Sequence, residues 1–228
     1  ILYSKVAGPN VRLTDEQINA IQYSLDNNNC CLHEILKQKD LLKPSFGYIR
    51  VTFPKKFGNS PGHPYVLEIW PKNHGSPIHN HGNTIAIIKV LHGTVKSEYF
   101  NPLAQKSYEG NQIQRILVAN LTKGQITWMT PDIYQTHRLT NESPDEACIT
   151  IQAYSHLDSE LFLDEKFNYI ENNFPNDPLL KPFYPKQDLY FDDLINTVIY
   201  EYTTQQCIKC LNGTGNLIFI FKSKLFVE

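Results

Sequence analysis

At 228 residues with 41% hydrophobic side chains, the chain is long enough to close one sizeable core, and barrels of this length commonly remain a single domain. Its 21 basic and 23 acidic residues are interspersed and leave a formal net charge of -2, so there is no field of one sign to draw a nucleic acid or an anionic membrane. No stretch approaches the roughly 20 apolar residues of a membrane helix, and ILYSKVAGPN carries no basic segment followed by an apolar run; a soluble, cytoplasmic protein is expected.

In chain order, residues 14–27, TDEQINAIQYSLDN, open on a Thr14/Gln17 capping box and place Ile18, Ile21 and Leu25 on one face, the pattern of an amphipathic helix. A second helical stretch, CLHEILKQKDLL, ends before Pro44, whose ring and missing N–H oppose continuation. From Tyr48 to Tyr154 the texture changes to short β-rich runs: GYIRVTF, YVLEIW, TIAIIKVL, TVKSEYF, QRILVANL, QITWMT and ACITIQAY. Gly, Pro and Asn separate them, which predicts an all-β sandwich or barrel rather than a parallel α/β sheet. Beyond Tyr154 a loop-rich stretch holding Pro175, Pro178, Pro182 and Pro185 leads to a helix near DLYFDDLINTVIYEY, and a GTGN turn introduces a strand at LIFIF. The expected organisation is one domain over 1–228, with a helical region at 14–47, a β-barrel core at 48–156 and an extension at 157–228 packed on the barrel.

Five cysteines, Cys30, Cys31, Cys148, Cys207 and Cys210, are an odd number without secretory context and predict reduced thiols rather than a disulfide framework. Cys207 and Cys210 have the spacing of half a zinc site or a redox pair, but no second Cys pair or nearby His completes a zinc set, so they read as incidental thiols. Trp70 and Trp128 read as barrel-packing aromatics, and His33, His63, His74, His92 and His156 as surface or loop residues.

The chemistry concentrates in Gly75-Ser-Pro-Ile-His79-Asn-His81. Side chains at i and i+2 of a strand share a face, so His79 and His81 can converge on one metal from inside a barrel. Alone, such a pair is as easily two surface histidines. A third ligand must come from elsewhere, and His137, in TPDIYQTHRLTN, is the best candidate. Imidazole suits iron, zinc, copper or nickel, and three protein nitrogens leave positions open for substrate and dioxygen.

Gly75, His79, His81 and Gly93 follow the first cupin motif, and Gly124, Pro131, His137 and Asn141 are spaced much as in the second. The segment HGSPIHNHGNTIAIIKVLHG resembles the metal-binding strand of cysteine dioxygenases, and HRLTN followed by ITIQAYS resembles that family's later motif. Where ordinary cupins place a glutamate ligand, this chain has Ile85 and Ala86; thiol dioxygenases likewise use three histidines and no carboxylate.

The resemblance covers roughly residues 14–160. It implies a mainly β cupin fold, a double-stranded β-helix or jelly-roll barrel with N-terminal helices and a C-terminal extension, and Fe(II) on His79, His81 and His137. It further implies that Arg50 clamps a substrate carboxylate, as its planar fork of donors suits it to do, that Tyr48 shares that pocket face, and that Tyr154 is the active-site tyrosine. The expected ligands are a small thiol and O2, and the expected assembly is a monomer or weak homodimer. Two departures stand out. Ala86 replaces the cysteine that in many animal members cross-links to the tyrosine. Gln152 replaces the histidine that, with a hydroxyl residue matched by Thr150, holds the tyrosine. The rivals are a three-His cupin of another class, an isomerase or other dioxygenase, and a non-catalytic metal-binding cupin.

Overall fold

Thr14 starts helix α1 (Asp15–Asp26): its hydroxyl accepts from the Gln17 N–H while the Gln17 side chain accepts from the Thr14 N–H, the reciprocal box that the sequence predicts. The computed structural model describes residues 11–41, 47–54, 59–60, 63–82, 84–101, 113–156, 167–170, 180–183 and 186–206. Helix α2 (Cys31–Asp40) ends ahead of Pro44 as expected. Helix α3 (Phe191–Thr204) packs on α1, with Tyr23 and Tyr202 edge to face at 5.9 Å. The buried Glu201 of α3 accepts the Cys31 N–H at 2.8 Å, which ties α2 into the same helical layer.

The strands in chain order are β1 (Ile49–Thr52), β2 (Asn59–Ser60), β3 (His63–Pro64), β4 (Val66–Trp70), β5 (His79–Asn80), β6 (Thr84–His92), β7 (Thr94–Phe100), β8 (Arg115–Thr122), β9 (Ile126–Met129), β10 (Thr136–Thr140), β11 (Cys148–His156), β12 (Phe167–Ile170), β13 (Leu180–Phe183) and β14 (Leu189–Tyr190). They form two six-stranded sheets, in the orders β14-β1-β4-β11-β6-β9 and β13-β12-β5-β10-β7-β8, and β2 pairs with β3. The fold is mainly β and cupin-like, as the motif pattern predicts.

The first sheet is covered on both sides, which is why its central strands lack a solvent-exposed face. Leu67 and Ile69 of β4, and Ile149 and Ile151 of β11, pack with Ile21, Leu32, Leu194 and Val198 of the helices. The alternate residues Val66, Trp70, Cys148 and Tyr154 join a second core inside the barrel. A strand buried on both faces reads as a continuous apolar run, and all five residues of β4 are buried, Glu68 among them.

Several expectations are corrected. Residues 136–140 form a strand, β10, that the turn-rich flanks conceal, and the stretch beyond Tyr154 read as loop-rich contributes β12 and β13 to the second sheet. Trp70 is buried as predicted, but Trp128 is 45% exposed and does not pack the barrel. Cys30 is disulfide-bonded, against the expectation of reduced thiols throughout. Cys148 is a free, buried thiol. Cys207 and Cys210, the GTGN turn and the LIFIF run lie outside the described residues, as do Pro175, Pro178 and Pro185. Among the described residues no helix is long and apolar enough to cross a membrane.

Candidate metal centre

Two short strands bring the three predicted histidines together. His79 of β5 is directly opposite His137 of β10 in antiparallel register, and His81 follows one residue beyond β5. The approach of the two segments is fixed by Gly75, which bridges to Thr140. A Cβ on Gly75 would lie 2.7 Å from the Leu139 carbonyl oxygen and 2.8 Å from Thr140 Oγ1, closer than any side chain tolerates, so glycine sets the spacing. Gly93, at φ +71, turns the chain from β6 into β7 in a conformation that other residues adopt only with strain. Asn141 locks the far end: its Nδ2 donates to the carbonyls of Trp70 (3.0 Å), Pro71 (3.2 Å) and Glu146 (2.9 Å).

The Nε2 atoms of His79, His81 and His137 lie 3.0, 3.0 and 3.2 Å apart, and all three residues are buried. Burial is the first cause holding each below the ordinary histidine value, His79 at about 4 and the others well below it; neighbouring imidazoles and Arg50 add for His81, and His79 adds for His137. The rings are therefore neutral at neutral pH. Pro77 O lies 3.0 Å from His79 Nδ1; a proton there leaves the Nε2 lone pair aimed at the other two rings.

With a lone pair on each, three such nitrogens repel unless a cation lies among them. An ion at about 2.1 Å from each nitrogen would see these spacings at roughly 90–100°, nearer the right angles of an octahedral face than the tetrahedral angle of structural zinc. The residues present thus fit an open-sided metal centre, and these histidines are the group of potential ligands found among the described residues.

The remaining wall comes from the first sheet. Arg50 of β1, Glu68 of β4 and Thr150 of β11 form one cross-strand row. Tyr48, Glu68, Gln152 and Tyr154 line a cavity of about 10 Å³ with the histidines, room for one water-sized group. Arg50 is 4% exposed. It adjoins the lining residues, hydrogen-bonded to Tyr48, with its Cζ 5.5 Å from the centre of the Tyr154 ring. The Tyr48 hydroxyl is raised above its ordinary value, first by burial and then by Glu68. The Tyr154 ring stacks on His81 at 5.9 Å.

Tyr154 donates to Gln152 Oε1, and Gln152 Nε2 donates to Glu68 Oε2. Thr150 plays no part in holding the tyrosine; its Oγ1 accepts from Trp70 Nε1 at 3.0 Å. Ala86 lies opposite Tyr154 in register, which puts a methyl group where a cross-linking sulfur would stand. Glu68 escaped the sequence reading, since an acid inside YVLEIW looks like the exposed position of an alternating strand. No local signal marks it, because what sets it apart is its place directly across from Arg50 on a strand covered on both sides.

The family model for cysteine dioxygenase type I matches residues 53–159, slightly less than half of the chain. The match takes in the three histidines, Glu68, Gln152 and Tyr154, while Tyr48 and Arg50 precede it. Similar solved structures include peruvianin-I, a cysteine peptidase from Thevetia peruviana latex (12% identity, 50% of this chain and 65% of that one, TM-score 0.35). Recombinant oxalate oxidase in complex with glycolate matches at 15% identity over 50% of this chain and 53% of the other, with a TM-score of 0.36. The capsular polysaccharide assembling protein CapF from Staphylococcus aureus matches at 14% identity over 53% and 26%, TM-score 0.33. The chain thus spans between about a quarter and two thirds of the length of these proteins.

Proposed function

From a barrel segment matched to the cysteine dioxygenase type I family, we propose that this protein is an Fe(II)-dependent thiol dioxygenase that oxidises a small thiol such as L-cysteine to its sulfinic acid, both atoms of O2 entering the product. The observation that carries this reading is the set of three neutral imidazoles converging in a buried cavity beside Tyr154, a group of potential ligands that includes no carboxylate among the described residues.

Iron held on His79, His81 and His137 would supply a common site for a thiolate and dioxygen, which removes the entropic cost of their encounter. The chain's own groups do the rest. The cavity is enclosed, which favours a compact thiol over a bulky one and limits the access of bulk water, and its wall must give way for even a compact thiol to enter. Arg50, hydrogen-bonded to the lining residue Tyr48, would take the substrate carboxylate on its planar array of donors. Tyr154 donates its hydroxyl proton to Gln152 Oε1, which fixes the phenol in the cavity wall beside the imidazoles; to donate to a bound thiolate the hydroxyl would turn away from Gln152. An amide orients that phenol without accepting its proton near neutral pH.

The decisive experiment is metal analysis together with oxygen uptake over a panel of small thiols. Bound iron and oxygen consumption coupled to sulfinate formation are expected. Bound metal with no oxygen consumed on any thiol would sink the proposal and leave a metalloenzyme of another class or a binding protein.

A further inference from the structure

Glu68 has no assigned role in that chemistry, yet it is the acid among the described residues lining the cavity. It is 3% exposed and stands opposite Arg50 on one side and Thr150 on the other. Gln152 Nε2 donates to its Oε2, and Arg50 Nη1 is 3.9 Å from its Oε1; an amide donor and a nearby guanidinium both suit a carboxylate. Arg50 balances that charge from the neighbouring strand, engaged with Tyr48 and placed against the Tyr154 ring.

We infer that Glu68 is a specificity-determining residue that reads an amino group, so that an aminothiol binds in preference to the same thiol without its amine. With the carboxylate of an amino acid on Arg50, its ammonium falls to the cross-strand neighbour, and the zwitterion matches the Arg50–Glu68 pair charge for charge. A thiol bearing only a carboxylate would set a second anion beside Glu68 with one guanidinium to share, which costs binding. The inference rests on the reading that a small thiol occupies this chamber, and is independent of oxygen chemistry.

The test is calorimetric titration of the anaerobic, iron-loaded full chain with L-cysteine and with 3-mercaptopropionate, which is cysteine without its amine. Wild-type protein is expected to prefer cysteine by about tenfold or more, and Glu68→Gln to bring the two dissociation constants within about threefold. Glu68→Asp, which keeps the charge, retains part of the preference; circular dichroism and iron content confirm folding. An unchanged preference in Glu68→Gln overturns the inference, because the amine would then be read by the metal or another group. Equal or tighter binding of 3-mercaptopropionate by wild type, or binding of neither ligand, overturns it without any variant. A preference that follows Glu68 in a protein that consumes no oxygen leaves the inference standing and removes the dioxygenase reading; oxygen uptake with an unmoved preference does the reverse.

Discussion

Gly75 and Leu139 are in such close approach that a Cβ on the glycine would meet the leucine carbonyl oxygen at 2.7 Å. The contact sets how near β5 comes to β10, and through them how near His79 comes to His137. Gly75→Ala must push two backbones apart, at a cost of about 1–3 kcal/mol. Denaturant titration is expected to show that loss, and metal titration a weaker site; unchanged values in both would detach Gly75 from the centre.

His79→Ala removes one nitrogen of the three. Iron content and oxygen uptake are expected to disappear together, since neither remaining imidazole can replace a ligand opposite His137. Elemental analysis of the purified variant reads the first and an oxygen electrode the second. Full activity in that variant would remove the metal site from the mechanism.

Arg50→Ala is expected to raise KM for carboxylate-bearing thiols by about tenfold or more, with a smaller effect on cysteamine, which has no carboxylate. It also strips Glu68 of its neighbouring cation in a buried wall, so the variant should lose about 3–5 kcal/mol of stability. Steady-state kinetics with both thiols and a melting curve separate the two effects. Equal KM changes for both thiols would assign Arg50 to structure.

Tyr154→Phe deletes the hydroxyl and leaves the ring on His81. A fall in kcat of about 10- to 100-fold with little change in KM is expected if the hydroxyl acts during reaction. Wild-type kcat in a folded, iron-replete Phe variant would reduce Tyr154 to a packing residue.

The Cys148 thiol is raised to about 12 by burial, with Glu146 adding to it. The sign follows directly: above the ordinary thiol value the unfolded chain releases a proton that the folded one keeps. Stability from this group is therefore present below about pH 9 and lost as pH rises toward 12. At pH 8 iodoacetamide should leave Cys148 unmodified in the native protein and alkylate it in urea, as mass spectrometry of the peptides would show. Rapid native labelling would contradict the burial.

The histidines, the capped helix α1 and most of the barrel strands were legible because each carries a local signal: a spacing, a cap or an apolar run bounded by turns. What escaped depends on partners distant in sequence. The β10 segment is short and flanked by Pro131 and Asn141, so its pairing with β7 and β5 leaves little local trace. Glu68 looks solvent-facing until the helices are known to cover the other side of β4. Trp128 misleads in the opposite direction, since an aromatic on a strand is expected inside, and β9 is the edge of its sheet.

Strand β5, only two residues long, lies between β10 on one side and β12 on the other, with Tyr169 opposite His79. A chain emerging from the ribosome therefore holds all three imidazoles well before it holds the neighbour that closes the outer flank of the first. Pairings of such sequence separation are slow to form, so loading with metal should be a late, post-synthetic event, and a nascent chain halted near residue 160 should carry the ligands without retaining the ion.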